Sequence, residues 1–340
     1  MDPLTALRQI AFRLERTRAS TYRVQAFRTA ADVVARMDPK ILEARTRAGA
    51  LHEITGIGDV TGTAISEAVR GEVPLYLRRL EEEQQEPLVE LDEAGESLLA
   101  SLRGDLHSHS DWSDGGSPIE EMAVTAVELG HEYLALTDHS PRLKVAHGLS
   151  SERLQRQLGV LEQLRPRLGD FRLLSGIEVD ILDDGTLDQT PQLLGKLDVV
   201  VASVHSKLKM EPQAMTRRMV RAVRDPHTDV LGHCTGRLVV GRGREQSRFD
   251  ARTVFEACAE AQVAVEINSR PERLDPPDDL LRLAVECGCL FSIDTDAHAP
   301  GQLDWRPYGV QKAVTCGVPV DRIITTWDVD RLLAWTTRDR

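Results

Sequence analysis

The sequence has 340 residues, five cysteines and a formal net charge of −12 at pH 7. This length is enough for one large domain and one small domain. The odd number of cysteines, the lack of CxxC spacing and the lack of an apolar N-terminal segment predict a reduced, cytoplasmic protein. No apolar run approaches the roughly 18 residues of a membrane span, so membrane insertion is not expected.

The first 82 residues are predicted to form a small helical domain. Apolar residues recur at helical spacing along residues 4–34, and the segment LHEITGIGDVTGTAISEAV at 51–69 predicts a helix-hairpin-helix. Gly56 and Gly58 permit a tight turn whose N–H groups, at the start of a helix, can seat a phosphate. An ordinary helix connection is the alternative.

The charge of this N-terminal region favours DNA as a partner. Residues 1–80 hold 13 Lys and Arg against 9 Asp and Glu, whereas the rest of the chain is strongly acidic. Arg23 and Arg28 are candidate DNA contacts. Against this interpretation, 36 of the 42 basic residues are Arg, a skew that genome composition alone can produce.

The segment EEEQQEPLVELDEAGE begins at residue 81 and contains eight acidic residues, no basic residue and one proline. A like-charge run this dense is typical of a solvated linker. We therefore predict an acidic linker at residues 83–101.

From residue 102 onward, short apolar runs alternate with amphipathic helical segments, the pattern of βα units in an α/β fold. The candidate strands end at GDLHSH, YLALTDH, LLSGIEVD, DVVVASVH, TDVLGH, VAVEIN and LFSIDTDAH. Six of these seven finish on His, Asp or Glu. In a parallel barrel the carboxyl ends of all strands open onto one face, so these polar residues are expected to converge.

Nine of the polar residues near the strand ends are predicted metal ligands. They are His107, His109, Asp114, His139, Glu178, His205, His233, Asp296 and His298. Imidazoles and carboxylates without thiolates suit Mn, Zn or Fe rather than a closed structural cysteine site. The set exceeds the needs of one ion, so two or three ions are expected, with Glu178 bridging a pair. For any single histidine, a hydrogen-bonded core role is the alternative.

Multinuclear sites of this kind hydrolyse bonds to phosphorus. The predicted catalytic residues are Glu178, His205, Asp296 and Lys207. A cationic side chain usually helps to hold the substrate anion. Lys207, two residues after His205, is the first candidate, and Arg142 and Arg270 are further candidates. Ordinary surface charge is the alternative for all three.

The segments HSHSDWSDG, TDHS, GIEVD, SVHS, GH and TDAH resemble, in this order, the successive motifs of the PHP (polymerase and histidinol phosphatase) family. The resemblance implies a distorted (β/α)7 TIM-like barrel at residues 102–340 that holds three divalent metal ions. It also implies three ligand sets. These are His107, His109, Glu178 and Asp296 for one ion; Glu178, His205 and His233 for a second; and Asp114, His139 and His298 for a third.

A narrower resemblance is to bacterial family X DNA polymerases. Their PHP domain shares DVLGHCTGRL, EINSRPERLD and TDAHAPGQLDWRPYGV, and their small N-terminal domain resembles STYRVQAFRTAA with ITGIGDVTGTAI. Only the acidic linker stands where such polymerases carry fingers, palm and thumb, so no polymerase activity is expected. Asp59 stands where relatives often carry lysine.

The predicted function is hydrolysis at DNA ends by a metal-dependent phosphoesterase, as a 3′–5′ exonuclease or a 3′-end repair nuclease. One alternative is a small-molecule phosphatase of the histidinol-phosphate type, which would use the same metals. Another is a DNA-binding scaffold with a residual metal site. The sequence leaves the oligomeric state open.

Overall fold

The computed structural model describes residues 1–338. The chain divides into two compact units. One unit contains residues 1–88 together with 299–302, and the other contains 89–298 together with the chain from 303 onward. No helix within 1–338 combines the length and the apolarity that crossing a bilayer requires. All five cysteines are free thiols.

The first unit is helical. Its helices are α1 (Pro3–Arg16), α2 (Thr21–Ala35), α3 (Pro39–Arg47), α4 (Asp59–Val69) and α5 (Leu75–Glu83). Apolar side chains from these helices, including Leu7, Ile10, Phe27, Ile65 and Leu77, form its core. Helix α1 starts where the sequence provides a cap, because the Asp2 carboxylate accepts from the Thr5 N–H (2.8 Å) and Pro3 occupies the first turn.

A buried ion pair joins α1 to α2. The Arg28 guanidinium donates to both carboxylate oxygens of Glu15, at 2.7 and 2.8 Å. Glu15 is 3% exposed and also accepts from the N–H of Gly301, at 2.9 Å. The Arg28 charge is therefore paired inside the unit, and contact between Arg28 and DNA stays a prediction. Arg23 is exposed, and its guanidinium donates to the Tyr76 hydroxyl.

The hairpin that was predicted to bind a phosphate differs from that prediction in one respect. Gly56 has a φ of 93°, as expected for the turn of the hairpin. The N–H of Gly58, however, donates to the Thr61 hydroxyl at 2.9 Å, so it is not available to a phosphate. The N–H groups at the start of α4 remain, and the first of them belongs to Asp59.

The acidic segment is structured over part of its length, which corrects the predicted linker at 83–101. Helix α6 (Glu93–Ser101) starts at Asp92, whose side chain accepts from the Gly95 N–H at 2.8 Å. Leu98 is buried in the hydrophobic core of the second unit. Its apolar contact outweighs the like-charge repulsion at the start of the helix, so only residues 84–92 connect α5 to α6 without a helix.

The second unit is a seven-stranded parallel barrel, as predicted. Its strands are β1 (Gly104–Ser108), β2 (Tyr133–Leu136), β3 (Arg172–Asp180), β4 (Val199–Ser203), β5 (Val230–Leu231), β6 (Ala264–Asn268) and β7 (Leu290–Asp294). They pair in sequence order. A parallel bridge between Ser108 and Ala297 brings the first and last strands together, so the barrel is nearly closed.

Helices follow most strands, and the strands are almost wholly buried. The helices after α6 are α7 (Ile119–Glu128), α8 (Ser151–Leu164), α9 (Pro191–Leu194), α10 (Pro212–Val223), α11 (Ala251–Ala261), α12 (Asp278–Glu286), α13 (Arg306–Thr315) and α14 (Val329–Thr336). Neighbouring strands in the barrel are thus consecutive in the sequence, and every strand points its carboxyl end to the same face.

We predict that Glu15→Ala destabilises the helical unit by about 3 kcal/mol, because it leaves the buried Arg28 charge without a partner. Hydrogen exchange of α1 and α2 peptides in the full chain measures the change. Glu43→Ala removes the exposed pair between Glu43 and Arg47 and serves as the control. Equal effects of the two substitutions would contradict the importance of the buried pair.

Candidate metal centre

The nine predicted ligands all lie at or just beyond the carboxyl ends of the strands. His107 lies in β1 and Glu178 in β3, whereas His205, His233 and Asp296 follow β4, β5 and β7 by two residues. The other ligands lie in the loops after β1, β2 and β7 and are His109, Asp114, His139 and His298. The barrel thus brings together side chains that are separated by up to 191 positions in the sequence.

Two of these ligands have unusual backbone conformations. Asp296 has a φ of 51° and His233 a φ of 21°, a region that residues with a side chain rarely adopt. Both residues lie two positions after the end of a strand. Backbone strain of this kind concentrates at functional sites, where the surrounding structure holds it in place.

The first group of ligands surrounds the imidazoles of His107 and His109. The Nε2 atom of His107 lies 3.3 Å from Glu178 Oε2 and 3.9 Å from Asp296 Oδ1. The Nε2 atom of His109 lies 3.6 Å from Glu178 Oε2 and 3.4 Å from Asp296 Oδ1. Four potential ligand atoms therefore face one point.

The second group uses the other oxygen of Glu178. Its Oε1 atom lies 3.1 Å from His205 Nε2 and 2.9 Å from His233 Nε2. Because Oε2 faces His107 and His109, the two oxygens of one carboxylate face two different groups of imidazoles. This is the arrangement of a bridging carboxylate.

The third group is centred on Asp114. Its Oδ1 atom lies 3.4 Å from the Nε2 atoms of both His139 and His298. Asp114 is the most exposed member, with its side chain 33% exposed. His139 also connects the groups, since its Nδ1 atom lies 2.8 Å from Glu178 Oε2. The three groups therefore form one continuous cluster.

The donor atoms fit bound metal ions. Ligands that bind a tetrahedral ion at 2.0–2.1 Å lie about 3.3 Å apart, and the contacts above cluster around this value. Several buried atoms of the cluster have no hydrogen-bond partner among the described residues. These include Nε2 of His107, both ring nitrogens of His109 and His205, Nδ1 of His233 and both oxygens of Glu178. Divalent ions would satisfy those atoms that face the ligand groups, namely Nε2 of His107, His109 and His205 and both oxygens of Glu178.

Charge compensation inside the cluster keeps the carboxylates ionised. Burial on its own would raise the pKa of Glu178, but His205, His107 and His139 outweigh burial and hold the pKa well below its usual range. Burial would likewise lower the pKa of His139, but Glu178 and Asp114 raise it to about 10. Metal ligands bind as carboxylates and neutral imidazoles, so an ion would replace the protons that now balance the charge.

Sequence reasoning missed Glu266. It lies in β6 and is fully buried, and its Oε1 atom lies 2.5 Å from His107 Nδ1. Its Oε2 atom accepts from the N–H of His233, also at 2.5 Å. A carboxylate on Nδ1 fixes the ring so that Nε2 faces the ligands. The position of Glu266 near the end of the VAVEIN segment was the available signal, since neighbouring strands contribute ligands at the same level.

Sequence reasoning also missed Arg273. Its Nε atom lies 3.1 Å from Asp296 Oδ2, and its Nη1 atom is buried without a hydrogen-bond partner among residues 1–338. Arg270, a predicted substrate contact, donates to His298 Nδ1 at 3.0 Å and to the carbonyl of Asp296 at 3.3 Å. Two guanidinium groups thus border the cluster on the side of the loop after β6.

The other two predicted substrate contacts, Lys207 and Arg142, interact with carboxylates outside the ligand cluster. The ammonium of Lys207 pairs with Asp183 at 2.5 Å and its side chain is 63% exposed. Arg142 is exposed, and its backbone N–H donates to Asp188 at 2.5 Å. The structure brings Arg270 to the predicted ligands by direct contact, whereas Lys207 and Arg142 contact carboxylates outside the cluster.

Comparisons with known proteins agree with this geometry. Residues 105–270 match the family model described as PHP domain. The chain is 39% identical over 241 residues to "DNA polymerase/3′-5′ exonuclease PolX" of Bacillus subtilis, which covers 71% of this chain but only 42% of that protein. It is 27% identical over 240 residues to a "probable phosphatase" of Thermoanaerobacter sp., covering 67% of this chain and 91% of that protein.

Among solved structures, histidinol phosphate phosphatase from Lactococcus lactis, in complex with zinc, L-histidinol and phosphate, is similar with a TM-score of 0.43 and 18% identity. The similarity covers 63% of this chain and 92% of that structure.

We predict that Glu178→Gln and Asp114→Asn lose different amounts of metal. Glu178 faces two ligand groups and Asp114 faces one, so the first substitution should remove about two ions per chain and the second about one. Elemental analysis after equilibration with Mn²⁺ and desalting measures the stoichiometry. Equal losses from both variants would contradict the bridging role of Glu178.

We further predict that Glu266→Gln weakens metal binding about 10- to 100-fold without removing a ligand, because His107 loses the carboxylate that orients it. Titration with Mn²⁺, followed by calorimetry, measures the affinity. Glu286→Gln changes an exposed carboxylate of α12 that pairs with Arg252 and is the control.

Proposed function

We propose that this protein, whose residues 105–270 form a PHP domain, is a metal-dependent phosphoesterase that hydrolyses phosphoester bonds at DNA ends. The observation that carries the proposal is the continuous cluster of imidazoles and carboxylates, in which Glu178 is close enough to share an ion with His107 and His233 on one side and with His139 and His205 on the other. Divalent ions bound there would lower the pKa of a water molecule and neutralise the charge on a phosphoryl group.

The chain's own residues supply the rest of the chemistry. Glu178, His205 and Asp296 would hold the ions in fixed positions, and Glu266 orients the His107 ring through its Nδ1 atom. On the open side, the Arg270 side chain is 24% exposed, so its guanidinium can reach a phosphate while it remains in contact with the cluster. A planar guanidinium suits phosphate oxygens because it can donate two parallel hydrogen bonds.

The helical unit supports a DNA substrate. Its hairpin presents backbone N–H groups at the start of α4, a favourable seat for a backbone phosphate, and Arg23 is exposed in the same unit. The name of the PolX relative includes a 3′–5′ exonuclease. We infer a 3′–5′ exonuclease or 3′-end processing enzyme in DNA repair that uses Mn, Zn or Fe.

The second candidate function is that of a small-molecule phosphatase of the histidinol-phosphate type. The observation that favours it is that the probable phosphatase of Thermoanaerobacter is matched over 91% of its own length, whereas the PolX relative is matched over only 42%. The ligand cluster serves either substrate equally well.

One substrate panel separates these candidates. Purified protein with Mn²⁺ should release nucleotide from a 3′-labelled oligonucleotide and leave histidinol phosphate intact. Asp296→Ala should reduce this release more than about 100-fold, because it removes a ligand rather than an orienting neighbour. Release of phosphate from histidinol phosphate alone would favour the phosphatase. Hydrolysis of neither substrate would contradict both enzymatic functions and favour a DNA-binding scaffold.

Salt dependence provides a second test of the DNA substrate. If the chain contacts about three phosphates, its affinity for a single-stranded oligonucleotide should fall roughly 20-fold between about 50 and 200 mM salt, because each contact releases counterions. Fluorescence anisotropy with a labelled oligonucleotide measures the affinity. An affinity independent of salt would contradict binding through backbone phosphates.

A further inference from the structure

The loop after β5 and His233 forms a small hairpin at residues 238–244, which we call the basic hairpin. The N–H of Leu238 donates to the carbonyl of Arg244 at 3.0 Å, and the N–H of Arg244 donates to the carbonyl of Leu238 at 2.8 Å. The guanidinium of Arg244 also donates to the Gly236 carbonyl at 2.6 Å. The base of the hairpin is therefore held by hydrogen bonds on both strands.

The tip of the basic hairpin combines a cation with apolar side chains. Gly241 and Gly243 have φ values of 70° and 63°, and these conformations let the chain reverse around Arg242. Val239 and Val240, which precede the turn, are 52% and 49% exposed. The tip therefore presents an apolar patch, formed by the two valines, beside the charged side chain of Arg242.

The base of the basic hairpin is connected to the metal centre through hydrogen bonds. The N–H of Val239 donates to the carbonyl of Glu272 at 2.8 Å, and Arg237 Nε donates to the carbonyl of Arg273 at 2.9 Å. Arg273 in turn contacts the carboxylate of Asp296 at 3.1 Å. Only one loop, the one after β6, therefore separates the hairpin from the ligand cluster.

The charge around the basic hairpin is opposite to that of the whole chain. Residues 237–248 contain four arginines and one glutamate, in a chain with a net charge of −12. Arg242 and Arg248 are exposed and make no hydrogen bond or ion pair with any residue in 1–338. An arginine that pairs with nothing in an acidic protein is complementary to an external anion.

We propose that the basic hairpin binds the nucleic-acid strand next to the scissile phosphate, and so selects a polynucleotide over a small phosphoester. Arg242 contacts a backbone phosphate, and Val239 with Val240 contacts the face of an adjacent base, as apolar side chains do at unstacked bases. A small phosphoester fills only the metal centre and ends before the hairpin. This inference rests on the proposed function and specifies its substrate.

The test compares Arg242→Glu and the double substitution Val239→Ser with Val240→Ser against wild type. Each variant should raise the KM for a single-stranded 3′-labelled oligonucleotide about tenfold while kcat changes little, and Arg242→Glu should reduce the salt slope of oligonucleotide binding by about one phosphate contact. Metal content and thermal unfolding, measured on the same samples, report whether the fold and the centre are intact.

Arg172→Glu is the matched control. Arg172 is exposed at the first residue of β3, at the opposite end of the barrel, about 20 Å along the strand from Glu178. This variant should keep the wild-type KM. Hydrolysis of bis(p-nitrophenyl) phosphate gives the second comparison, because the hairpin variants should lose at least tenfold more on the oligonucleotide than on this small ester.

The outcomes separate the two proposals. If wild type cleaves the oligonucleotide and the hairpin variants keep its KM and salt slope, the hairpin proposal is wrong and the proposed function stands. Equal losses on the oligonucleotide and the small ester also overturn the hairpin proposal, since they indicate damage to the centre. If wild type neither binds nor cleaves the oligonucleotide, both proposals fall.

Discussion

The fully buried carboxylate of Glu178 is the constraint on which the candidate site depends. Its Oε1 atom faces the imidazoles of His205 and His233 and its Oε2 atom faces those of His107, His109 and His139, at distances from 2.8 to 3.6 Å, and neither oxygen has a hydrogen-bond partner within residues 1–338. A buried ionised carboxylate without compensation is very costly. The surrounding histidines supply that compensation here, and divalent ions would supply it in the loaded enzyme, so the stability and the chemistry of this region share one cause.

The parallel barrel makes this concentration of polar groups possible. Its strands bury apolar side chains along most of their length, and only their carboxyl ends carry the ligands. Glu266 in β6 and Arg273 in the loop after β6 then hold the ligands in orientation. The loop after β6 has a second role in this arrangement, because it contacts Asp296 on one side and the basic hairpin on the other.

Sequence interpretation was incomplete where packing decided the result. Arg28 was predicted to contact DNA from its charge, and only the structure shows that Glu15, 13 positions earlier, pairs with it inside the helical unit. The acidic run has the composition of a linker, but the burial of Leu98 against the barrel core makes its second half a helix. Glu266 and Arg273 were missed because residue type and strand position do not indicate which carboxylate or guanidinium touches a ligand.

The sequence by itself determined the parallel βα order and the residue types at the strand ends. These follow from local patterns, since apolar runs, helix periodicity and terminal His, Asp and Glu residues lie within a few positions of one another. Only the tertiary structure decided how the ligands group, that Glu178 is shared between groups, and that Arg270 reaches the cluster while Lys207 pairs with Asp183. Those relations are distances between residues far apart in the chain, and closure of the barrel fixes them.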